Sequence, residues 1–101
     1  MAAGDAITDV SGPIAASGTF LIQPGAGVEW CIHNIMHYGA TGSTCKITLT
    51  DGTVDVDFDT GSEGGGWINQ CFFLTNTHYL KLTNTHASVA CVFGYTGIVT
   101  K

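Results

Sequence analysis

Residues Gly27–Gly39 read GVEWCIHNIMHYG, the longest run in the chain without a turn signal. Gly, β-branched and aromatic residues dominate it, and no apolar stripe at helical spacing runs through it, so it is expected to be a strand. Side chains alternate across a strand. A regular strand therefore puts Val28, Trp30, Ile32, Met36 and Tyr38 on one face, with Asn34 as the single polar member. Glu29, Cys31, His33, Ile35 and His37 fall on the other. The first face is apolar enough to be a core face and the second is mixed, the pattern of a central strand in a two-layer β protein.

Outward from this stretch the same grammar repeats. Gly18–Gln23 is a compact strand candidate, closed by the turn Pro24-Gly25-Ala26-Gly27. Thr44–Thr50 alternates, with Cys45, Ile47 and Leu49 inward and Thr44, Lys46, Thr48 and Thr50 outward. Asp51-Gly52 is a hairpin signal. Thr53–Asp59 then alternates Val54, Val56 and Phe58 against three aspartates, and Thr60–Gly66 reads as a glycine-rich loop. Trp67–Leu74 is apolar on both parities, as expected of an internal strand buried on two sides. His78–Leu82, Ser88–Tyr95 and Gly97–Lys101 supply further short strands. The expected fold is all-β: an antiparallel β-sandwich of eight to nine strands, jelly-roll-like. Residues 1–12 are expected to form an N-terminal arm or edge strand, and residues 13–101 a single sandwich domain.

Composition narrows the function. Of 101 residues only 11% are charged, with three cations (Lys46, Lys81 and Lys101) and a formal net charge of −5. Nucleic-acid and anionic-membrane binding both draw on clustered Lys and Arg, and neither is expected here. A weakly charged, Thr-rich surface suits contact with other proteins, because charges are costly to desolvate. No secretory signal is visible at Met1–Gly4, so synthesis in a cytosol is expected. The four cysteines (Cys31, Cys45, Cys71 and Cys91) contain no CxxC pair and lie in apolar runs, which favours buried free thiols over zinc or disulfides.

No pattern in the chain points to catalysis. Glu29, Asp59 and Glu63 have no spacing that identifies a carboxylate pair, and GSEGGG (Gly61–Gly66) lacks the ending of a phosphate loop. The acidic run Asp55–Asp59 fails the calcium-loop template, with Thr60 and Gly66 where Gly and Glu are needed, although the run leaves cation binding open. His33 and His37 lie about 13 Å apart on an extended strand, at roughly 3.3 Å per residue, and cannot share a metal. No metal or cofactor is expected. The echo Leu74–His78 and Leu82–His86, both LTNTH, reads as two strand ends whose Asn and Thr make local turns. Trp30, Tyr38, Trp67 and Tyr79, with His33 and His37, are the candidate contact residues, and Phe72 joins the aromatics as core or anchor.

The run Phe20–Ile35, FLIQPGAGVEWCIHNI, with Ile47–Thr53 (ITLTDGT) and Tyr79–Asn84 (YLKLTN), resembles small β-sandwich virion proteins of tailed bacteriophages. These are decoration (cement) proteins and related head or fibre-knob modules, and the likeness spans roughly Thr19 to Val99. The resemblance implies a homo-oligomer, commonly a trimer, that binds the major capsid protein where shell subunits meet and stabilises the head. It implies a place on the capsid surface of the virion and brings no catalytic residues. The alternative is a carbohydrate- or receptor-binding sandwich module of the fibre-knob kind, using exposed aromatics.

Overall fold

A computed structural model describes residues 2–101. Among them there are nine strands and no helix. They are β1 (Ala6–Val10), β2 (Thr19–Ile22), β3 (Trp30–Gly39), β4 (Thr44–Thr50), β5 (Asp55–Ser62), β6 (Gly65–Trp67), β7 (Phe72–Leu74), β8 (Tyr79–Asn84) and β9 (Cys91–Val99). All pairings are antiparallel. One sheet runs β1-β9-β3, with β6 and β7 end to end along the far edge of β3; the other runs β2-β8-β4-β5. Counting β6 and β7 as one interrupted strand, the first strand pairs with the last, the second with the next to last, and so inward to β4-β5. That is the jelly-roll wrapping, as if one long hairpin were rolled into a two-layer sandwich.

The core lies between the sheets. Ile7, Trp30, Ile32, Ile35, Phe93, Tyr95 and Val99 from the first sheet meet Ile22, Cys45, Ile47, Leu80 and Leu82 from the second, all buried. Phe20 bridges the layers, its ring 6.4 Å from Phe93 and 6.1 Å from Tyr95.

β3 is central, as its sequence suggests, but its faces differ from a regular alternation. Ile32 pairs with Gly97 and Asn34 with Thr96, so His33 is an extra residue with no partner on β9. This β-bulge resets the parity. Ile35 and His37 turn inward and are buried, whereas Met36 and Tyr38 turn outward and are 41% and 68% exposed. The regular pattern had these pairs the other way round. Gly97 allows the close approach at this point: a Cβ there would collide with the Cys31 carbonyl oxygen. Gly97 therefore continues β9 rather than breaking it, and the two strands expected on either side of it are one.

Other departures have similar causes. Trp67–Leu74 is not one doubly buried strand. It splits into β6 and β7 around residues 68–71, with Ile68 62% and Phe73 71% exposed. The expected loop Thr60–Gly66 shortens to Glu63-Gly64, because β5 runs to Ser62 and β6 begins at Gly65. Glu63 takes the turn's left-handed conformation, with φ 55°. A second bulge, at Phe58, shifts the β4-β5 register between Ile47↔Asp59 and Thr48↔Asp57. Every residue from Asp55 to Thr60 is exposed, so Val56 and Phe58 are not the buried counterface of the aspartates. Leu49, also expected inward, is 42% exposed. Cys71 is exposed; the other three cysteines are buried, and all four are free.

Candidate interaction surface

The two sheets present very different outer faces. On the second, Lys46 and Lys81 pair with Asp57 and Asp55 at 3.6 and 2.7 Å. Thr48 lies beneath them, fully buried, its hydroxyl donating to Asp57 Oδ1 at 3.2 Å. These are solvated ion pairs, each worth little by itself. They also account for two of the three aspartates of the acidic run. The third, Asp59, accepts from Trp67 Nε1 at 2.7 Å. That bond holds the Asp59 carboxyl below its ordinary range, and the Lys81 ammonium does the same for Asp55. Among the described residues, no group of three or more His, Cys, Asp or Glu is placed to hold a metal ion.

The outer face of the first sheet is neutral. The register lays it out in rows across the strands. Ala6, Ile98, Cys31 and Phe73 form one row, and Thr8, Thr96 and Asn34 the next. Val10, Gly94, Met36 and Gly66 follow, then Val92 and Tyr38. No row contains a charged side chain. Val10 is 73% exposed, Tyr38 68% and Phe73 71%. Gly94 leaves a trough in the middle, a groove of about 290 Å³ walled by Val10, Met36, Tyr38 and Val92 and closed at one end by Thr8 and Thr96, with Asp9 of the edge strand β1 the one acidic residue on its lining. Asn34 is satisfied within the face, donating to Thr96 Oγ1 at 2.9 Å and accepting from the Asn69 amide at 3.1 Å. The polar row of Thr8, Thr96 and Asn34 thus separates the Phe73 row from the apolar groove around Gly94, and exposed apolar side chains grouped in this way are the feature an interaction surface on a small domain would use.

The six candidate contact residues do not form one site, although two of them, His37 and Trp67, meet. Tyr38 stands on the neutral face. Tyr79 lies half-buried on the outer face of the second sheet, opposite Thr50. Trp30 is buried, its ring 6.1 Å from that of Tyr95. His37 is buried with its ring 5.2 Å from that of Trp67 and tilted by 45°, and its Nδ1 donates to the Glu63 carbonyl at 3.0 Å. This contact pins the β5-β6 turn to β3. His33, on the bulge, donates from Nδ1 to the Gln70 carbonyl at 3.2 Å, holding the segment between β6 and β7. Sequence reasoning missed Val10, Met36 and Phe73 as surface residues. The only available signal was Val10 in the otherwise polar Asp9–Gly12 run; the other two became visible only with the register.

The LTNTH echo does carry turn chemistry. In the first copy Thr75 Oγ1 accepts from the His78 amide at 3.1 Å. In the second, Asn84 Oδ1 accepts from the His86 amide at 3.0 Å.

The chain matches no protein-family model and no curated protein.

Proposed function

We propose that this protein is a structural virion component: a capsid decoration protein that binds the outside of a phage head at subunit junctions and works by surface contact alone. The observation that carries the reading is the neutral, apolar outer face of the first sheet, with Val10, Tyr38 and Phe73 exposed and a groove over Gly94. Docking such a face avoids desolvating charge and removes apolar area from water, at roughly 25 cal/mol per Å² before association costs. The charged face of the second sheet then remains in solvent. Further support is the jelly-roll wrapping, an architecture used by viral capsid and lectin domains, and the resemblance of Phe20–Ile35 to tailed-phage virion proteins. The proposed unit is a homotrimer and the proposed partner the major capsid protein.

The test is co-sedimentation of the protein with empty phage heads, together with its mass in solution. Binding that is lost in a Met36→Glu/Tyr38→Glu double variant of unchanged stability is the expected result. A protein that never associates with heads overturns the proposal. A second reading, glycan recognition by a fibre-knob-like module, is favoured by Tyr38, an exposed aromatic beside the groove. Saturable binding of the isolated protein to a glycan array would establish that instead.

A further inference from the structure

Cys31 and Cys71 are forty positions apart in the chain, yet their sulfurs lie 3.1 Å apart. The antiparallel register explains the meeting. Cys31 pairs with Phe73 and Ile32 with Phe72, so Cys71 is the diagonal neighbour of Cys31 on the same face of the sheet. The two thiols differ in access: Cys31 is buried and Cys71 exposed. A third group completes the arrangement. His33 Nε2 is 3.7 Å from Cys31 Sγ. Its other nitrogen, Nδ1, faces the Gln70 carbonyl at 3.2 Å, and a carbonyl can only accept. The proton of the neutral ring therefore sits on Nδ1, leaving the Nε2 lone pair toward Cys31.

We propose that Cys71, Cys31 and His33 form an oxidation site for small hydroperoxides, which closes a Cys31–Cys71 disulfide. Cys71, as thiolate, attacks the outer peroxide oxygen. The O–O bond breaks, the leaving alkoxide or hydroxide takes up a proton, and Cys71 becomes a sulfenic acid. Cys31 Sγ then attacks Cys71 Sγ while its proton passes to His33 Nε2. The S–O bond breaks, and the departing hydroxide takes the proton from the His33 imidazolium and leaves as water. In sum, two thiols and one hydroperoxide give one disulfide, one alcohol (or water) and one water. Sulfur is oxidised by two electrons and the peroxide reduced by two. The order of events follows from access and acidity. Burial, then the hydrogen bond with Cys71, pushes the Cys31 thiol up to about 11, so it remains protonated until a base is offered. Only about 1 Å of approach separates the observed contact from the 2.03–2.05 Å of a disulfide.

The bond would clamp β7 to β3 where their ladder is three residue pairs long, next to the bulge and the gap between β6 and β7. It leaves the charged sheet untouched. A protein made under reducing conditions and later exposed to oxidant would be stiffened along an edge of its first sheet that is held by two short ladders. This inference does not depend on the proposed function.

The experiment treats the full chain with equimolar hydrogen peroxide and follows thiol content, intact mass and melting temperature. The expected result is loss of two of the four free thiols with loss of two hydrogens in mass. Peptide mapping should find Cys31 joined to Cys71, and Tm should rise by roughly 10 °C, reversibly in dithiothreitol. Cys71→Ser, at an exposed position, keeps its fold and shows neither change. His33→Ala still forms a Cys71 sulfenic acid, trapped by dimedone, but converts it to disulfide about tenfold more slowly or worse. Because His33 also holds the Gln70 carbonyl, added imidazole separates the two roles: it restores the closure rate of His33→Ala if the residue accepts the proton, and leaves it slow if the residue only holds the segment. Oxygen addition at Cys71 with no disulfide in the wild type overturns the proposal, as does a disulfide with a different pairing.

Discussion

Ile32 and Ile35 both point into the core from one strand, although they are three positions apart and a regular strand would send them to opposite faces. Both are completely buried. The extra residue that makes this possible is His33, and everything after it on β3 is reassigned: His37 goes in, Met36 and Tyr38 go out.

The bulge predicts an unusual deletion result. Removing His33 leaves Trp30, Ile32, Ile35 and His37 on one face of a regular strand, so the core set survives. The variant should fold cooperatively, destabilised by about 1–3 kcal/mol through loss of contacts such as the Gln70 amide bond to the His33 carbonyl. Deleting Met36 instead leaves the bulge and flips the strand beyond it. No cooperative urea transition is expected for that chain. Equal tolerance of both deletions would refute the assignment of the extra residue.

Asn84 predicts a different kind of loss. Its side chain is fully buried, donating to the Ile14 and Val89 carbonyls at 2.9 and 2.7 Å and accepting from the His86 amide. Asn84→Ala strands the Val89 carbonyl and the His86 amide, while the Ile14 carbonyl keeps the Cys91 amide, and it should cost about 2–3 kcal/mol, read from the denaturant midpoint. The corresponding Asn76 in the first LTNTH copy, exposed and donating once to Pro24 O, should cost under about 1 kcal/mol.

Acid should act on the edge of the second sheet. The carboxyls of Asp59 and Asp55 are lowered, chiefly by the Trp67 indole and the Lys81 ammonium respectively. A lowered folded value means the stabilisation is present above the unfolded carboxylate range, near ~3.9, and disappears as pH falls through the folded values. In Trp67→Phe the Asp59 carboxyl resonance should titrate upward toward the ordinary range while Asp55 stays put. A titration of Asp59 unchanged by the substitution would exclude the indole as its cause.

Alkali should act on the core. Burial, reinforced by neighbouring Cys91, pushes the Cys45 thiol up from 9.0 to about 11. Its contribution is complete below pH 9 and is lost between pH 9 and 11, because the unfolded chain releases this proton first. Urea midpoints measured across that window should fall, and fall less steeply in Cys45→Ala.

The all-β fold and most of the turns were legible because they depend on local rules. Asp51-Gly52 is a turn because Asp51 Oδ1 accepts from the Thr53 and Val54 amides, and Gly52 supplies the positive φ of 94°. Alternation likewise located β4, β8 and the inner faces of Cys45 and Ile47. Bulges at His33 and Phe58 have no local signature; they arise from pairing with β9 and β4, partners that the strand's own residues do not reveal. The neutral face was hidden for the same reason. Val10, Met36 and Phe73 come from three distant segments, and they share one face only when β1, β3 and β7 join a sheet with β9.

The contrast between the two sheets gives the molecule a top and a bottom. Lys46, Lys81, Asp55 and Asp57 sit on one side, and no charge sits on the rows around Gly94 on the other. A plate of this kind is an amphiphile made of protein, and at any boundary between wet and apolar surroundings it adopts one orientation. A surface tiled with it would be recoated: its electrophoretic mobility and salt response would follow the lysines and aspartates of the second sheet rather than the material beneath.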